Sequence, residues 1–336
     1  MIKTAIVILN WNGKRFLEKF LPSVTKYSNN NEVEIIIADN SSSDDSLKFL
    51  NKNYPSIRTI ILDKNYGFAG GYNMALQQVD AKYYILLNSD VEVTPNWINP
   101  IINLMDKNTG IAACMPKILS FANKDQFEYA GAAGGFIDKY GYPFCRGRIL
   151  SNIEKDNKQY NDTKEIFWAT GACMFIRAEK FHELNGFDED FFAHMEEIDL
   201  CWRLKNKGNK IIYSHESVVY HVGGGTLPNN NPFKLYLNYR NNLFLLFKNL
   251  PSKKIFSTIF IRLILDGVSA LTYLIQLKPK SFWAVLKAHI HFYKELSNLK
   301  EKRKGTLIKN HKEIYNNSIV YDFIINKKQK FSDLKF

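Results

Sequence analysis

Four runs rich in Ile, Val, Leu and Tyr, at residues 5–9, 33–38, 57–62 and 83–87, alternate with helical patterns at 15–26, 46–52 and 72–79. Strands and helices trading places at this pace predict the α/β class, with a doubly wound, Rossmann-like, mostly parallel sheet. Such a sheet binds ligands in the crevice beyond the carboxyl ends of its strands. Those ends are polar here. The first run stops at Asn10-Trp-Asn-Gly13, the second at Asp39-Asn-Ser-Ser-Ser-Asp44 and the fourth at Asn88-Ser-Asp90. The third leads into Asp63-Lys-Asn-Tyr-Gly-Phe-Ala-Gly-Gly-Tyr-Asn73. One rim therefore collects the groups that a ligand would meet.

Beyond Pro95 the pattern gives a helix to about Met105, a strand at 111–115, and a looser region at 120–164 with a charged patch at 151–164. Regular structure resumes at 166–176, in a helix around Met195–Leu204, in a strand at 210–213 and in the segment 217–225. From Phe233 the texture becomes aromatic, aliphatic and basic. Residues 1–232 hold 25 Lys+Arg against 27 Asp+Glu, whereas 233–336 hold 20 against 6, so all of the +12 net charge arises in the last third. We therefore place a boundary near 229–232, with one domain at 1–230 and a basic, amphipathic helical region at 231–336. The four cysteines show no metal-finger spacing and read as reduced, packed thiols of a cytosolic protein. The first strand starts almost at Met1, with no signal-peptide pattern before it.

Each rim motif has two readings. Asp39 accepts hydrogen bonds from a ribose or base, or caps the helix that follows. The glycines of KNYGFAGGYN let backbone approach a phosphate or sugar, but the motif is neither a Walker loop nor GxGxxG. Asn88-Ser-Asp90 has the form of an acidic pair that holds a hard divalent cation beside a diphosphate; the alternative is a strand-end turn. His221, in VVYHVGGG, is either a core histidine or a metal ligand with the bulk around it removed by glycine.

The segment FFAHMEEIDLCWRLKNKG gathers Glu196, Glu197 and Asp199 in one helical turn. Asp199 and Arg203 stand four apart, which suits an ion pair and a structural role. Glu197 lies about 100° round the helix from Glu196, above Leu200 and Cys201. Apolar surroundings raise a carboxyl toward the range of a general base, while the helix N-terminus favours the anion. A surface acid suited to the helix dipole explains one such residue better than three.

In order and spacing, VILNWNG, ADNSSSDDS, KNYGFAGGYN, YYILLNSDVEV, WATGACMFIR, GFDEDFFAHMEEIDLCWRLKNKG and VVYHVGGGT resemble family 2 glycosyltransferases, most of all their bacterial rhamnosyltransferase-like branch. The resemblance spans residues 1 to about 226. It implies a glycosyltransferase-A fold, inversion at the anomeric carbon, and a nucleoside-diphosphate sugar donor, with dTDP-rhamnose first and UDP-sugars behind it. Asp39 and Asn10 would line the base and ribose pocket, with Asn65, Gly67, Gly70, Asn73 and Asn88 shaping the donor site. Asp90 and His221 would hold a divalent cation, Mg²⁺ or Mn²⁺. Glu197 stands where the family commonly places the Asp of its acidic pair, the catalytic base, with Glu196 and Asp199 as the alternatives. Trp168, Gly171 and Ala172 would border the acceptor. Asn88 stands for the first acid of the D-x-D pattern.

The most apolar stretch, 255–277, follows Lys253-Lys254 and contains Arg262 and Asp266. Its longest uncharged run is shorter than the ~18–20 residues of a span. We expect an amphipathic helix lying in or partly within a membrane surface, at the cytoplasmic, inner face of the cell membrane. A lipid-linked saccharide acceptor in polysaccharide assembly would suit that placement. No nucleic-acid recognition motif is present. Two rival functions stand beside sugar transfer. A sugar-nucleotide nucleotidyltransferase would carry a Gly-rich basic loop after strand one, where NWNGKRF supplies only Gly13, Lys14 and Arg15. A non-catalytic sugar-nucleotide binder would leave the acids of the helix without a task.

Overall fold

The computed structural model describes residues 2–223, 231–304 and 309–336. The first eighty-eight residues form β1 (Ile2–Asn10), α1 (Lys14–Tyr27), β2 (Val33–Asp39), α2 (Ser46–Asn53), β3 (Arg58–Ile61), α3 (Gly67–Leu76) and β4 (Ala81–Asn88). The strands pair in parallel in the order β3-β2-β1-β4. Ala5, Ile6, Val7 and Ile8 of β1 are buried on both faces, as a central parallel strand must be. Leu17, Phe20, Leu21 and Val24 form the buried stripe of α1. Register sets Asn10 beside Asp39 and Leu9 beside Asn88, so three strand ends share one rim. The helix expected at 72–79 begins earlier, at Gly67. Its glycines lie inside the helix because the packing leaves no room for a side chain: a Cβ on Gly71 would sit 2.9 Å from Leu9.

The sheet continues through β5 (Val91–Val93), α4 (Asn99–Lys107) and β6 (Ile111–Ser120). The expected loose region contains β7 (Gly135–Asp138), β8 (Pro143–Cys145), β9 (Arg148–Ile149), β10 (Asn152–Ile153) and β11 (Thr163–Glu165). These strands are too short to show a period of two. Then come β12 (Cys173–Arg177), α5 (Ala178–Glu183), α6 (Glu196–Asn206) and β13 (Lys210–His221). The two segments read as separate at 210–213 and 217–225 are this one strand as far as His221, broken in register between Ser214 and Val218. Residues 224 and 225 lie outside the described residues. The main sheet runs β11-β13-β6-β12-β4-β1-β2-β3, with β5 also on β13. β12, β5 and β11 run against the other six, so the sheet is mixed and mostly parallel in direction. All four cysteines are free and buried.

The last third supplies α7 (Pro232–Asn249), α8 (Ser252–Ile275), α9 (Pro279–Lys294) and α10 (Leu296–Arg303), then β14 (Ile314–Tyr315) and α11 (Ile319–Ile324). Residues 229 and 230 of the expected boundary are outside the described set, and Pro232 opens α7. This region returns to the first in two places. β14 adds to β7 as the outer strand of a small sheet, β10-β9-β8-β7-β14. α7 packs along α6, the helix that carries the three acids.

Candidate active site

The rim is built from interlocked loops. Asn10 Nδ2 donates to Asp39 Oδ2 at 2.9 Å and to Ser42 Oγ at 3.1 Å, and Ser42 N donates to Asp39 Oδ1 at 2.9 Å. Asn10 and Asp39 are both fully buried at the carboxyl ends of β1 and β2, and Asn10 Oδ1 has no hydrogen-bond partner. Asn40, which the sequence reading passed over, ties the second loop to the third. Its Nδ2 reaches Asn65 Oδ1 (3.0 Å) and Gly67 O (2.9 Å), and its Oδ1 accepts from Tyr66 N (3.0 Å). Asn65 Oδ1 also accepts from Gly67 N, closing the turn in which Gly67 takes φ +71°. Gly70 is crowded by Tyr66, whose Cβ would lie 3.0 Å from an added methyl. Asn73 spends its amide within the fold, donating to Phe187 O and accepting from Phe187 N, both at 2.9 Å.

Asp90 follows β4 and reaches His221, 131 positions later, because β5 pairs with the end of β13. His221 Nε2 lies 3.2 Å from Asp90 Oδ1, and Nδ1 lies 3.5 Å from Glu128 Oε1. All three are buried. Burial alone would depress the imidazole, but the Glu128 and Asp90 carboxylates outweigh it and push it up to about 10. Glu128 carries no motif in the sequence, and only the tertiary fold reveals it. Asn88 N donates to Ala172 O at 3.0 Å, which joins this corner to the 168–172 segment. There Gly171 lies against the Phe68 ring of α3, whereas Trp168 is buried over Gly135 and donates from Nε1 to Phe136 O at 2.9 Å.

The three acids of α6 have three environments. Asp199 is fully buried and salt-bridged to Arg203 Nε (2.7 Å) and Lys248 Nζ (2.9 Å), with Asn249 Nδ2 donating at 2.9 Å. Burial opposes its ionisation, but the two cations hold its carboxyl far below the usual range. Glu196 is buried, and desolvation with the neighbouring Glu197 charge raises its carboxyl well above normal. Glu197 keeps partial exposure, and desolvation pushes it up to about 7. One oxygen on each of Glu196 and Glu197, and Nε2 of His194, have no hydrogen-bond partner. Burial, with Lys234 nearby, lowers His194 to about 4, so its ring is neutral. Unsatisfied buried polar atoms are rare in folded proteins. Three of them fall within four residues here.

The chain belongs to glycosyl transferase family 2, whose family description matches residues 5–184. It is 25% identical over 234 residues to the N-acetylglucosaminyl-diphospho-decaprenol L-rhamnosyltransferase of Mycobacterium tuberculosis, covering 64% of this chain and 75% of that one. It is 26% identical over 215 residues to rhamnosyltransferase WbbL of Escherichia coli, covering 62% and 79%. The low-salt glycan biosynthesis hexosyltransferase Agl10 of Haloferax volcanii is 23% identical over 258 residues, covering 75% and 76%. Among solved structures, GalNAc-T7 with UDP, GalNAc and Mn²⁺ superimposes with a TM-score of 0.60 at 15% identity, over 91% of this chain and 58% of that one. Residues 1–349 of Staphylococcus aureus TarS give 0.55 at 13%, over 90% and 88%. These two likenesses establish the fold.

Proposed function

We propose that this glycosyltransferase moves rhamnose from dTDP-rhamnose, or a hexose from a UDP-sugar, to a saccharide hydroxyl with inversion, on a lipid-linked acceptor of cell-surface polysaccharide synthesis. The observation that carries the chemistry is the acid pair at the start of α6, with unpartnered oxygens and a carboxyl raised to about 7. Glu197 takes the proton of the acceptor hydroxyl as that oxygen forms its bond to the anomeric carbon. The bond from that carbon to the diphosphate breaks, and its electron pair leaves on the diphosphate oxygen. Glu196, held protonated by burial, donates a hydrogen bond to the acceptor. Asp199 is committed to Lys248 and Arg203 and serves to hold the helix. Asp39 and the unpartnered Asn10 Oδ1 accept hydrogen bonds at the nucleoside end, and the backbone around Asn65 and Gly67 borders the diphosphate. The relatives named as rhamnosyltransferases support the choice of sugar, and the decaprenol-linked substrate in one name supports the acceptor class.

Asp90 and His221 fit a divalent cation once the imidazole, held protonated by its two carboxylate neighbours, gives up its proton as the ion binds. Two adjacent ligands of one octahedral ion, each ~2.1 Å from it, stand about 3 Å apart, against 3.2 Å here. Among the described residues no group of three or more His, Cys, Asp or Glu side chains is arranged for an ion, so diphosphate oxygens and water would have to supply the other positions. A bound Mg²⁺ or Mn²⁺ would supply charge neutralisation for the departing diphosphate. Thermal-shift titration with nucleotide sugars and either ion tests the donor. The expected result is stabilisation by dTDP- or UDP-sugars that needs the ion, followed by release of nucleoside diphosphate when acceptor is added. Indifference to every nucleotide sugar would overturn the reading.

The same reading places the C-terminal region on the inner face of the cell membrane. By length and composition α8 is able to cross a bilayer, but its polar pair is turned inward. Arg262 Nη2 bonds Asp266 Oδ1 at 3.0 Å, Nη1 donates to Tyr140 O at 3.1 Å, and the guanidinium lies 3.8 Å from the Tyr142 ring centroid. Phe256, Phe260, Ile264, Val268, Leu271 and Ile275 are exposed on the opposite side. An in-plane helix, lysine-flanked and apolar outward, fits these facts better than a span. Phe256→Ser with Phe260→Ser should abolish flotation with anionic vesicles while leaving transfer to a soluble acceptor intact; unchanged flotation removes the membrane from the account.

A further inference from the structure

The backbone just before α6 takes an unusual course. Phe192, His194 and Met195 have φ of 62°, 70° and 72°, a left-handed conformation that side chains other than glycine seldom adopt. Three such residues among four precede Glu196 and Glu197. Something outside the segment has to hold it. Part of the grip comes from α3, where Phe68 N and Ala69 N donate to Phe192 O at 2.8 and 3.2 Å. The rest comes from α7, in the C-terminal region. Asn241 is fully buried, and its Nδ2 donates to Phe191 O (2.9 Å), Ala193 O (2.9 Å) and His194 O (2.7 Å). Arg240 Nη2 donates to Asp190 O (2.7 Å) and Phe191 O (3.1 Å). Its Nε donates to Asn241 Oδ1 at 2.8 Å, which fixes the amide so that nitrogen faces the carbonyls.

We infer that Asn241, oriented by Arg240, is a positioning residue for sugar transfer: it holds the left-handed turn 192–195 that aims His194, Glu196 and Glu197 into the crevice. The assignment rests on the proposed role of Glu197 and extends it to a residue 44 positions away in the chain. An amide nitrogen carries two hydrogens, so three carbonyls converging on it make a shared cradle that no other side-chain type of that size reproduces. Loss of the amide frees the carbonyls, and the turn relaxes toward ordinary φ. The acids then rotate away from the acceptor and gain water. The nucleoside end of the donor pocket, Asn10 and Asp39, is held by its own hydrogen bonds with Ser42, away from this turn.

The test compares Asn241→Ala with Glu197→Gln in the full-length protein. Active sites are counted by nucleoside-diphosphate binding in calorimetry, and kcat is measured per site from pH 5.5 to 8.5. Asn241→Ala should bind the diphosphate within threefold of wild type and lose at least tenfold in kcat. The acid limb of its pH profile should move down toward that of an ordinary glutamate as the carboxyl gains water. A merely structural asparagine would lower the number of active sites and leave kcat per site and the limb in place, and that result overturns the proposal. If Asn241→Ala yields no folded protein, Asn241→Ser, which keeps a short donor, supplies the same comparison. Silence of Glu197→Gln with normal turnover by the Asn241 variant sinks the clamp alone. Full activity of Glu197→Gln sinks the underlying reading instead.

Discussion

Replacing Glu197 by Gln should do two opposite things. As the proposed base, the carboxylate accounts for about 10²–10⁴-fold of rate, the usual range for general-base assistance, and turnover should fall accordingly. The same carboxylate also burdens the fold. Its carboxyl moves from 4.5 when unfolded to about 7 when folded, with desolvation the largest cause. Because the folded value is the higher one, the native protein binds more protons than the unfolded chain between those pH values. The stability from this group is fully present below pH 4.5 and lost as pH rises through 7. At about 1.4 kcal/mol for each tenfold change, the native state gives up as much as about 3 kcal/mol by pH 8. Partial exposure of the residue makes that an upper bound. Glutamine carries no charge to desolvate, so the variant should be more stable than wild type at pH 8 and nearly equal to it at pH 4.5.

Urea unfolding at both pH values and steady-state transfer between pH 6 and 8 measure the two effects. Wild-type kcat should stand near half its plateau at pH 7 and near a tenth at pH 6. Neutral stability at pH 8 together with retained transfer would show that Glu197 is an ordinary surface acid, and the reasoning would be wrong. Glu196 does not compensate. It is more deeply buried, and desolvation, the larger cause of its raised carboxyl, persists when the Glu197 charge is removed.

Three other residues test the surrounding structure. Glu128→Gln removes the carboxylate 3.5 Å from His221 Nδ1 and should weaken Mn²⁺ binding, read by electron paramagnetic resonance, about 10–100-fold, the usual effect of losing an outer-shell partner of a ligating histidine. Lys248→Met leaves Asp199 buried with half of its cationic support and should cost about 3–5 kcal/mol in denaturant unfolding. Gly135→Ala would set a methyl 2.1 Å from the Trp168 indole. It should destabilise by at least about 1–3 kcal/mol, with a blue-shifted or broadened tryptophan emission reporting the displaced ring.

What could be read in the sequence was what local period and chain order encode. The first four strands, their helices and the polar rim follow from alternation and from the residues that end each strand. The Asp199–Arg203 and Arg262–Asp266 pairs follow from a spacing of four on a helix. The illegible parts depend on partners distant in the chain. Nothing near Glu128 announces that it faces His221, and nothing near Asn40 announces that it fastens Asn65 and Gly67. The strands between 135 and 153 are two to four residues long, too brief for a pattern. The left-handed turn at 192–195 has no glycine to betray it, because its conformation is imposed by donors from α3 and α7 rather than by its own residues.

That last point bears on how charge and chemistry divide along the chain. The abrupt change of composition at residue 233 invites a picture of a catalytic domain with a detachable basic tail. The side chains do not respect it. Lys248 and Asn249 of α7 neutralise and bond Asp199, Asn241 and Arg240 hold the backbone before Glu196, and Lys302 of α10 meets Asp188 and Asp190. β14 completes a sheet that begins at Gly135. The excess basicity of the C-terminal region therefore has two destinations. Part is spent inward, on carboxylates of the segment 188–199 that would otherwise repel one another. The rest remains exposed, Lys253, Lys254 and Lys278 at the ends of α8 among them. Composition reports the sum of these charges, and only the fold shows which of them pair with the acids around α6.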